Sequence, residues 1–193
     1  MTSQSYVLVD QLSVRRTIYM SVLWTLSFTL LTAAMAQIRI PFPFTPVPLT
    51  GQTFAVLLSG GVLGWRRGFA SQALYLSAGA MGLPFFAGGA AGAAYLLGPT
   101  GGYLVSFPIA AGLLGWLVER GASRKVWTLA LALIAADLLI LFSGTAWLKG
   151  VYGLPVLNQW QSAFCPFLAG DVLKVSLVGI TLPWILKHYR NTP

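Results

Sequence analysis

Charge is scarce in this chain of 193 residues: Asp, Glu, Lys and Arg together make up only 8% of it, against about 25% in soluble domains. Acidic side chains number four, with one histidine and one cysteine. A single cysteine excludes an intrachain disulfide and the usual multi-cysteine zinc sites, and Cys165 reads as a small apolar filler. The only histidine, His188, falls in the C-terminal tail with no partner to tune it. Neither H-E-x-x-H nor an evident Ser–His pair occurs, and there is no G-x-x-x-x-G-K-[ST] loop. The chain therefore shows no catalytic constellation and no means of hydrolysing ATP; it is read as not an enzyme, with no catalytic residues, no metal and no cofactor. Internal repeats and low-complexity segments are also missing.

What remains is 56% hydrophobic, the composition of a polytopic membrane protein. Apolar runs fall at 17–37, 51–65, 68–83, 100–118, 126–143 and 166–186. A spanning helix takes about 20 such residues; the second and third runs are short, with Arg66–Arg67 between them as a tight turn. The expectation is an all-α integral membrane protein of six transmembrane helices. Residues 1–193 then form one domain, with a short segment at 1–16 and a tail at 187–193. Ala34-Met35-Ala36 after an apolar run preceded by Arg15–Arg16 also resembles a secretory signal with its cleavage site, but the run is longer than a usual signal core, so it is read as a retained helix.

The net charge is +8, yet the basic residues sit in small groups between apolar runs, so nucleic acid is not an expected partner. With the N-terminus inside, inner segments hold Arg15, Arg16, Arg66, Arg67, Arg120, Arg124, Lys125, Lys187 and Arg190; outer segments hold Arg39 and Lys149. This bias predicts both termini in the cytoplasm of a multi-pass cell-membrane protein. Trp65, Trp116, Trp127 and Trp184 fall near the inner ends, and Trp147 and Trp160 in the last outer loop, as interfacial anchors.

The stretch IRIPFPFTPVPLTGQTF, 38–54, packs Pro41, Pro43, Pro46 and Pro48 between two of these runs. Proline fixes its own φ, removes a donor and pushes its predecessor towards extended backbone. On the outer face, Pro41, Phe42, Phe44, Pro46 and Pro48 make either a lid over a cavity or a stiff linker.

Asp137, Asp171 and Lys174 lie inside apolar runs, where each charge costs about 2.5–3.5 kcal/mol to insert. Asp171 and Lys174, three apart, share a helix face, and all three are expected in the outer halves of their helices. Either they neutralise one another or they grip a small solute, the carboxylate taking N–H donors and the ammonium a carboxylate. The outer loop LPFFAGGAAGAAYLLGPTGG, 83–102, allows close backbone approach, with Thr100 as a cap for the fourth helix. Gln37, Gln52 and Gln72 either line a polar cavity or brace helices.

Several motifs in order, PFPFTPVPLTGQTFAVLLSGGVLGWRRG (41–68), GLPFFAGGAAG (82–92), LLGPTGGYLVSFP (96–108) and DVLK (171–174), resemble the BioY family. These are the biotin-specific substrate-binding S components of energy-coupling-factor (ECF) vitamin transporters. The resemblance implies an outward pocket for biotin capped by the loop after the first helix. It also implies as partners a transmembrane T component and two cytoplasmic ATPases, beside the lipid bilayer. It carries the acid and lysine of helix six onto Asp171 and Lys174. Biotin offers two ureido N–H donors, a carbonyl and a valerate carboxylate; Asp171 suits the ureido donors and Lys174 the carboxylate, with the reverse allocation open. Gln52, Phe85, Phe86, Tyr95 and Tyr103 complete the expected pocket. The small residues at helix-one spacing are Ser21, Thr25 and Thr29, in place of the Ala-x-x-x-Ala by which many S components pack on a T component. An S component for another vitamin is the alternative, and a membrane enzyme a more distant one.

Overall fold

The computed structural model describes residues 18–41, 45–152 and 165–190, without the side chains of 18, 152, 165–169 and 187–190. Phe42, Pro43, Phe44 and Trp160, and the side chains of Cys165 and His188, lie outside that description. Helix α1 (Ile18–Gln37) contains neither proline nor glycine. It hides its hydroxyls by turning them onto carbonyls one turn back: Thr25 to Ser21 (2.9 Å), Ser27 to Leu23 (2.8 Å) and Thr32 to Phe28 (2.9 Å). In an apolar surrounding, such bonds satisfy a polar side chain without water. Strands β1 (Arg39–Ile40) and β2 (Leu49–Thr50) then pair antiparallel, Arg39 opposite Thr50. Of the proline-rich stretch between them, Pro41, Pro46 and Pro48 are among the described residues.

Helix α2 (Gln52–Ala80) is a helical hairpin. Gly64 adopts φ 80°, ψ −179°, a region open essentially to glycine alone. The chain reverses there, so that Gln72 Nε2 donates back to Ser59 Oγ (3.0 Å) and Gln52 Nε2 to Tyr75 Oη (2.6 Å). The reversal expected at Arg66–Arg67 is thus made two residues earlier, because arginine is strained where Gly64 sits. A one-turn helix α3 (Ala93–Leu96) leads to α4 (Gly101–Glu119), which packs mainly on α2. Close approach depends on missing side chains: a Cβ on Gly60 would meet the Ala111 carbonyl, and one on Gly115 the backbone of Gly64 and Trp65. Small residues let membrane helices approach in this way.

Helix α5 (Val126–Tyr152) is longer than its apolar run, and α6 spans Cys165–Arg190. Two expectations change with that length. Trp147 lies in α5, not in a loop, and its Nε1 donates to the Gly98 carbonyl (3.0 Å). Asp137 lies eleven residues from the start of α5 and fifteen from its end, near the middle of the helix and not in an outer half.

Among the described residues, three helical segments are long and apolar enough to cross a membrane: Tyr19–Gln37, Gly101–Glu119 and Val126–Val151. The arms of α2, 52–63 and 65–80, are shorter than the roughly 20 residues of a full span. The bundle has two distinct ends. At one, the Trp65 N–H donates to Glu119 Oε1 (3.0 Å), the Arg66 guanidinium lies 5.1 Å from the Trp65 ring and that of Arg120 3.6 Å above Trp116. Such cation–tryptophan pairs suit a membrane–water boundary. At the other end lie the β-hairpin and the glycine-rich loop before α4, tied to α1 by Gln37 Nε2 donating to the Phe86 carbonyl (3.2 Å). Residues 18–37 belong to the core rather than standing apart: Thr32 and Ala36 are fully buried, and Thr29 Oγ1 donates to the Ser71 carbonyl (2.9 Å).

Candidate functional site

A cavity lies at the end of the bundle opposite the Arg–Trp pairs. α6 contributes Asp171 and Lys174, α2 Gln52 and Thr53, α4 Tyr103 and Phe107, and α5 Asp137 and Ile140. The β-hairpin closes one side with Val47, Pro48 and Thr50, and Ala87, Tyr95 and Thr100 complete the wall.

The charges of α6 are paired. Lys174 Nζ lies 3.0 Å from Asp171 Oδ1, and the two side chains are 11% and 5% exposed. The helix spacing makes this contact, and the cavity lies beside it. Gln52 is fixed from both ends: it accepts from Thr50 Oγ1 (2.8 Å) and donates to Tyr75 Oη, which in turn donates to the Phe85 carbonyl (3.2 Å). Asp137 is 6% exposed, and its Oδ1 has no hydrogen-bond partner.

The expected residues divide. Asp171, Lys174, Gln52, Tyr95 and Tyr103 meet at the cavity, while Phe85 and Phe86 do not line it. Phe85 stacks on Tyr75 (centroids 6.3 Å apart); Phe86, fully buried, stacks on Tyr95 (5.0 Å) and meets Tyr75 edge-on (5.8 Å). The missing side chain of Gly79 makes room for the Phe86 ring, so both phenylalanines form a layer behind the wall and Ala87 takes the place at it. Pro48 lines the cavity; Pro41 and Pro46 are exposed and do not. Thr100 precedes α4 but makes no side-chain cap bond; it lines the cavity instead. Of the three glutamines, Gln52 alone reaches the cavity. Gln72, fully buried, donates to Thr32 Oγ1 (3.1 Å) and Ser59 Oγ and braces the helices, as Gln37 does at the loop.

Sequence reasoning missed Thr50, Thr53 and Phe107 as wall residues. Thr53 follows Gln52 directly, but nothing in a helix-opening Gln-Thr-Phe marks it as a wall residue. Asp137 carried a signal, a carboxylate in an apolar run.

The sequence model of the BioY family matches residues 6–191. A probable biotin transporter BioY of Pyrococcus horikoshii is 39% identical over 153 residues, which are 79% of this chain and 88% of the relative. The biotin transporter BioY2 of Lactococcus lactis is 34% identical over 171 residues, covering 86% of this chain and 93% of the relative. Among solved structures, the S-component for biotin from an ECF-type ABC transporter superposes with a TM-score of 0.82 at 25% identity, covering 88% of this chain and 92% of that one.

Proposed function

The chain belongs to the BioY family, and from that premise we propose that it takes up biotin as the substrate-binding S component of an ECF-type transporter. The observation that carries this reading is the Asp171–Lys174 pair, buried in an apolar bundle yet standing at the wall of a cavity. A pair kept only for neutralisation needs no space beside it. Biotin matches such a wall: polar groups at both ends of a largely apolar molecule, against a few placed donors and acceptors among apolar residues.

In this reading one domain spans the membrane six times, through α1, the two arms of α2, α4, α5 and α6. The short arms of α2 are accommodated by packing and local thinning. Both termini are cytoplasmic, because the Arg–Trp end then faces inward. The cavity faces outward under the proline-rich hairpin, which serves as its lid. Asp171 takes ureido N–H donors and Lys174 the valerate carboxylate, so binding exchanges an internal ion pair for two ligand contacts. Gln52, Tyr95 and Tyr103 shape the wall. Phe85 and Phe86 support Tyr75 and Tyr95 from behind. Energy comes from a T component and cytoplasmic ATPases, which dock on the bundle from outside the binding site. The exposed stripe of α1, Tyr19, Leu23, Leu26 and Leu30, faces outward from the bundle, whereas Thr29 of the small-residue row is turned into it.

Calorimetric titration of the purified protein with biotin tests the reading, with riboflavin and thiamine as competitors. Tight biotin binding that neither competitor displaces is expected. Preference for another vitamin would keep the fold and overturn the substrate; binding of none of them would overturn the transport reading. Uptake by cells lacking their own biotin transporters, with and without an ECF module, tests the partners.

A further inference from the structure

Among the described residues, exposed charge at the cavity end of the bundle is of one sign. Of the four acidic residues, Asp10 lies outside the described residues, Glu119 sits beside Trp65 at the opposite end, and Asp137 and Asp171 are buried. The exposed cations are Arg39 on β1 and Lys149 in the last turn of α5. Lys149 lies about two turns beyond Leu141, the last α5 residue at the cavity wall. Arg39 stands closer. It pairs across the hairpin with Thr50, a wall residue. Its guanidinium reaches over to the glycine-rich loop, where a Cβ on Gly88 would collide with Nη1; the residue before Gly88 is Ala87, again at the wall. Gly88 has φ 71°, which glycine adopts without strain, so the loop offers bare backbone for the guanidinium to rest on. Arg39 thus bridges two elements of the wall from outside, without lining the cavity itself. Among the described residues its guanidinium has no hydrogen bond, ion pair or stacked ring.

We propose that Arg39 is the entry site for the ligand's carboxylate: its guanidinium meets the valerate carboxylate of biotin at the seam between the hairpin and the glycine-rich loop, before the ligand enters the cavity. The inference rests on the biotin reading and deepens it. A guanidinium is planar, always charged, and can present paired N–H donors to both oxygens of a carboxylate. This one has no internal carboxylate to give up first. Lys174 cannot take that part, because it is enclosed and already bonded to Asp171; it acts only on a ligand that has come inside. A charge on the rim works chiefly on the rate of encounter, and salt screens it over about 10 Å at 0.1 M. The site also selects by charge, favouring acids over neutral derivatives of the same shape.

The test is stopped-flow association at low and high salt, with wild type, Arg39→Gln, Arg39→Glu and Lys149→Gln. The ligands are biotin and biotinamide, its neutral near-isostere. Both positions are exposed, so neither substitution disturbs the core. Two opposite unit charges about 6–7 Å apart in water attract enough to change a rate about threefold. At low salt, Arg39→Gln should therefore take up biotin about threefold more slowly, and Arg39→Glu, which turns attraction into repulsion, about tenfold. Near 1 M salt, where screening acts within about 3 Å, the three rates should converge. Biotinamide should associate equally fast with all of them, and Lys149→Gln should stay near wild type with biotin. Equal slowing of biotin and biotinamide would make Arg39 a steric brace between the two loops. Equal slowing by Lys149→Gln would make the effect one of overall charge, and unchanged rates in both Arg39 variants would remove the site. Each of these results overturns the entry site while leaving biotin binding intact. No binding of biotin by wild type would instead sink the transport reading itself.

Discussion

Lys174 Nζ stands 3.0 Å from Asp171 Oδ1, one turn along α6, and both residues line the same cavity. Stability and function make opposite demands on this pair. Removing one partner strands a buried charge at a cost of about 3–5 kcal/mol, whereas replacing both by apolar side chains is often neutral or stabilising. Lys174→Ala is therefore expected to lower the melting temperature in detergent, and Asp171→Leu with Lys174→Met to restore it. Biotin binding, measured by calorimetry, should be lost in both. A double variant that melts like wild type and still binds biotin would reduce the pair to packing.

Gln52 and Tyr75 test the wall one shell out. Their 2.6 Å hydrogen bond joins the two arms of α2 across the hairpin. Tyr75→Phe leaves the Gln52 amide without its acceptor, a loss of about 1–3 kcal/mol for a buried group. The expected result is a lower melting temperature with a several-fold weaker affinity for biotin, because the glutamine that lines the cavity is no longer held. Unchanged affinity would show that Gln52 is positioned by Thr50 alone.

Gly64 tests the hairpin itself. At φ 80° and ψ −179°, a Cβ strains the backbone by about 1–3 kcal/mol. Gly64→Ala should melt earlier than wild type by that amount of stability, while the cavity at the far end of the bundle retains its ligand affinity at low temperature. A melting temperature equal to wild type would mean that the reversal can be made elsewhere, as at Arg66–Arg67.

Much of this was legible in the sequence, and what was not follows a pattern. Helices announced themselves by apolar length, and α6 announced its charges by their cost in such a run; three-residue spacing was enough to place Asp171 beside Lys174. The reversal inside α2 was visible as a break, but charge drew attention to Arg66–Arg67 while backbone geometry chose Gly64. Phe85 and Phe86 illustrate a deeper limit. Aromatic residues beside a glycine-rich loop suit a ligand wall and a core equally, and only the close contact of Phe86 with Gly79 decides for the core. Thr53 is illegible for a related reason: a hydroxyl's partner, or the lack of one, is a property of three helices meeting and not of the segment that carries it.

Orientation in the membrane rests on charge, and labelling can read it. In a Cys165→Ser background, a cysteine at Ala91 lies exposed in the glycine-rich loop and one at Ala122 in the turn near the Arg–Trp pairs. A membrane-impermeant maleimide added to intact cells should label position 91, and position 122 only after the membrane is opened. The reverse pattern would turn the cavity inward and leave it unable to take biotin from outside.

The hairpin's part in retaining a ligand comes down to one contact. A Cβ at Gly170 would lie 2.8 Å from Leu49 Cδ1, so β2 packs directly against the turn of α6 that leads into Asp171. Val47 and Pro48 reach the cavity from the same strand and its approach. If the hairpin is a lid, its hold on α6 sets the rate at which biotin leaves. Leu49→Ala removes three carbons, about 2.4 kcal/mol if they were fully buried at roughly 0.8 kcal/mol each; Leu49 is only half-buried, which leaves a contact of about 1 kcal/mol, or about a fivefold change in a rate. Leu49→Ala should therefore speed release about fivefold in a stopped-flow chase with excess unlabelled biotin. The association rate should change little, since mutations within one interface act mostly through dissociation. Gly170→Val should act in the same direction and more strongly, because its side chain displaces the strand. Release at the wild-type rate in both variants would make the hairpin a fixed wall, and some other segment would then have to move before biotin can enter or leave.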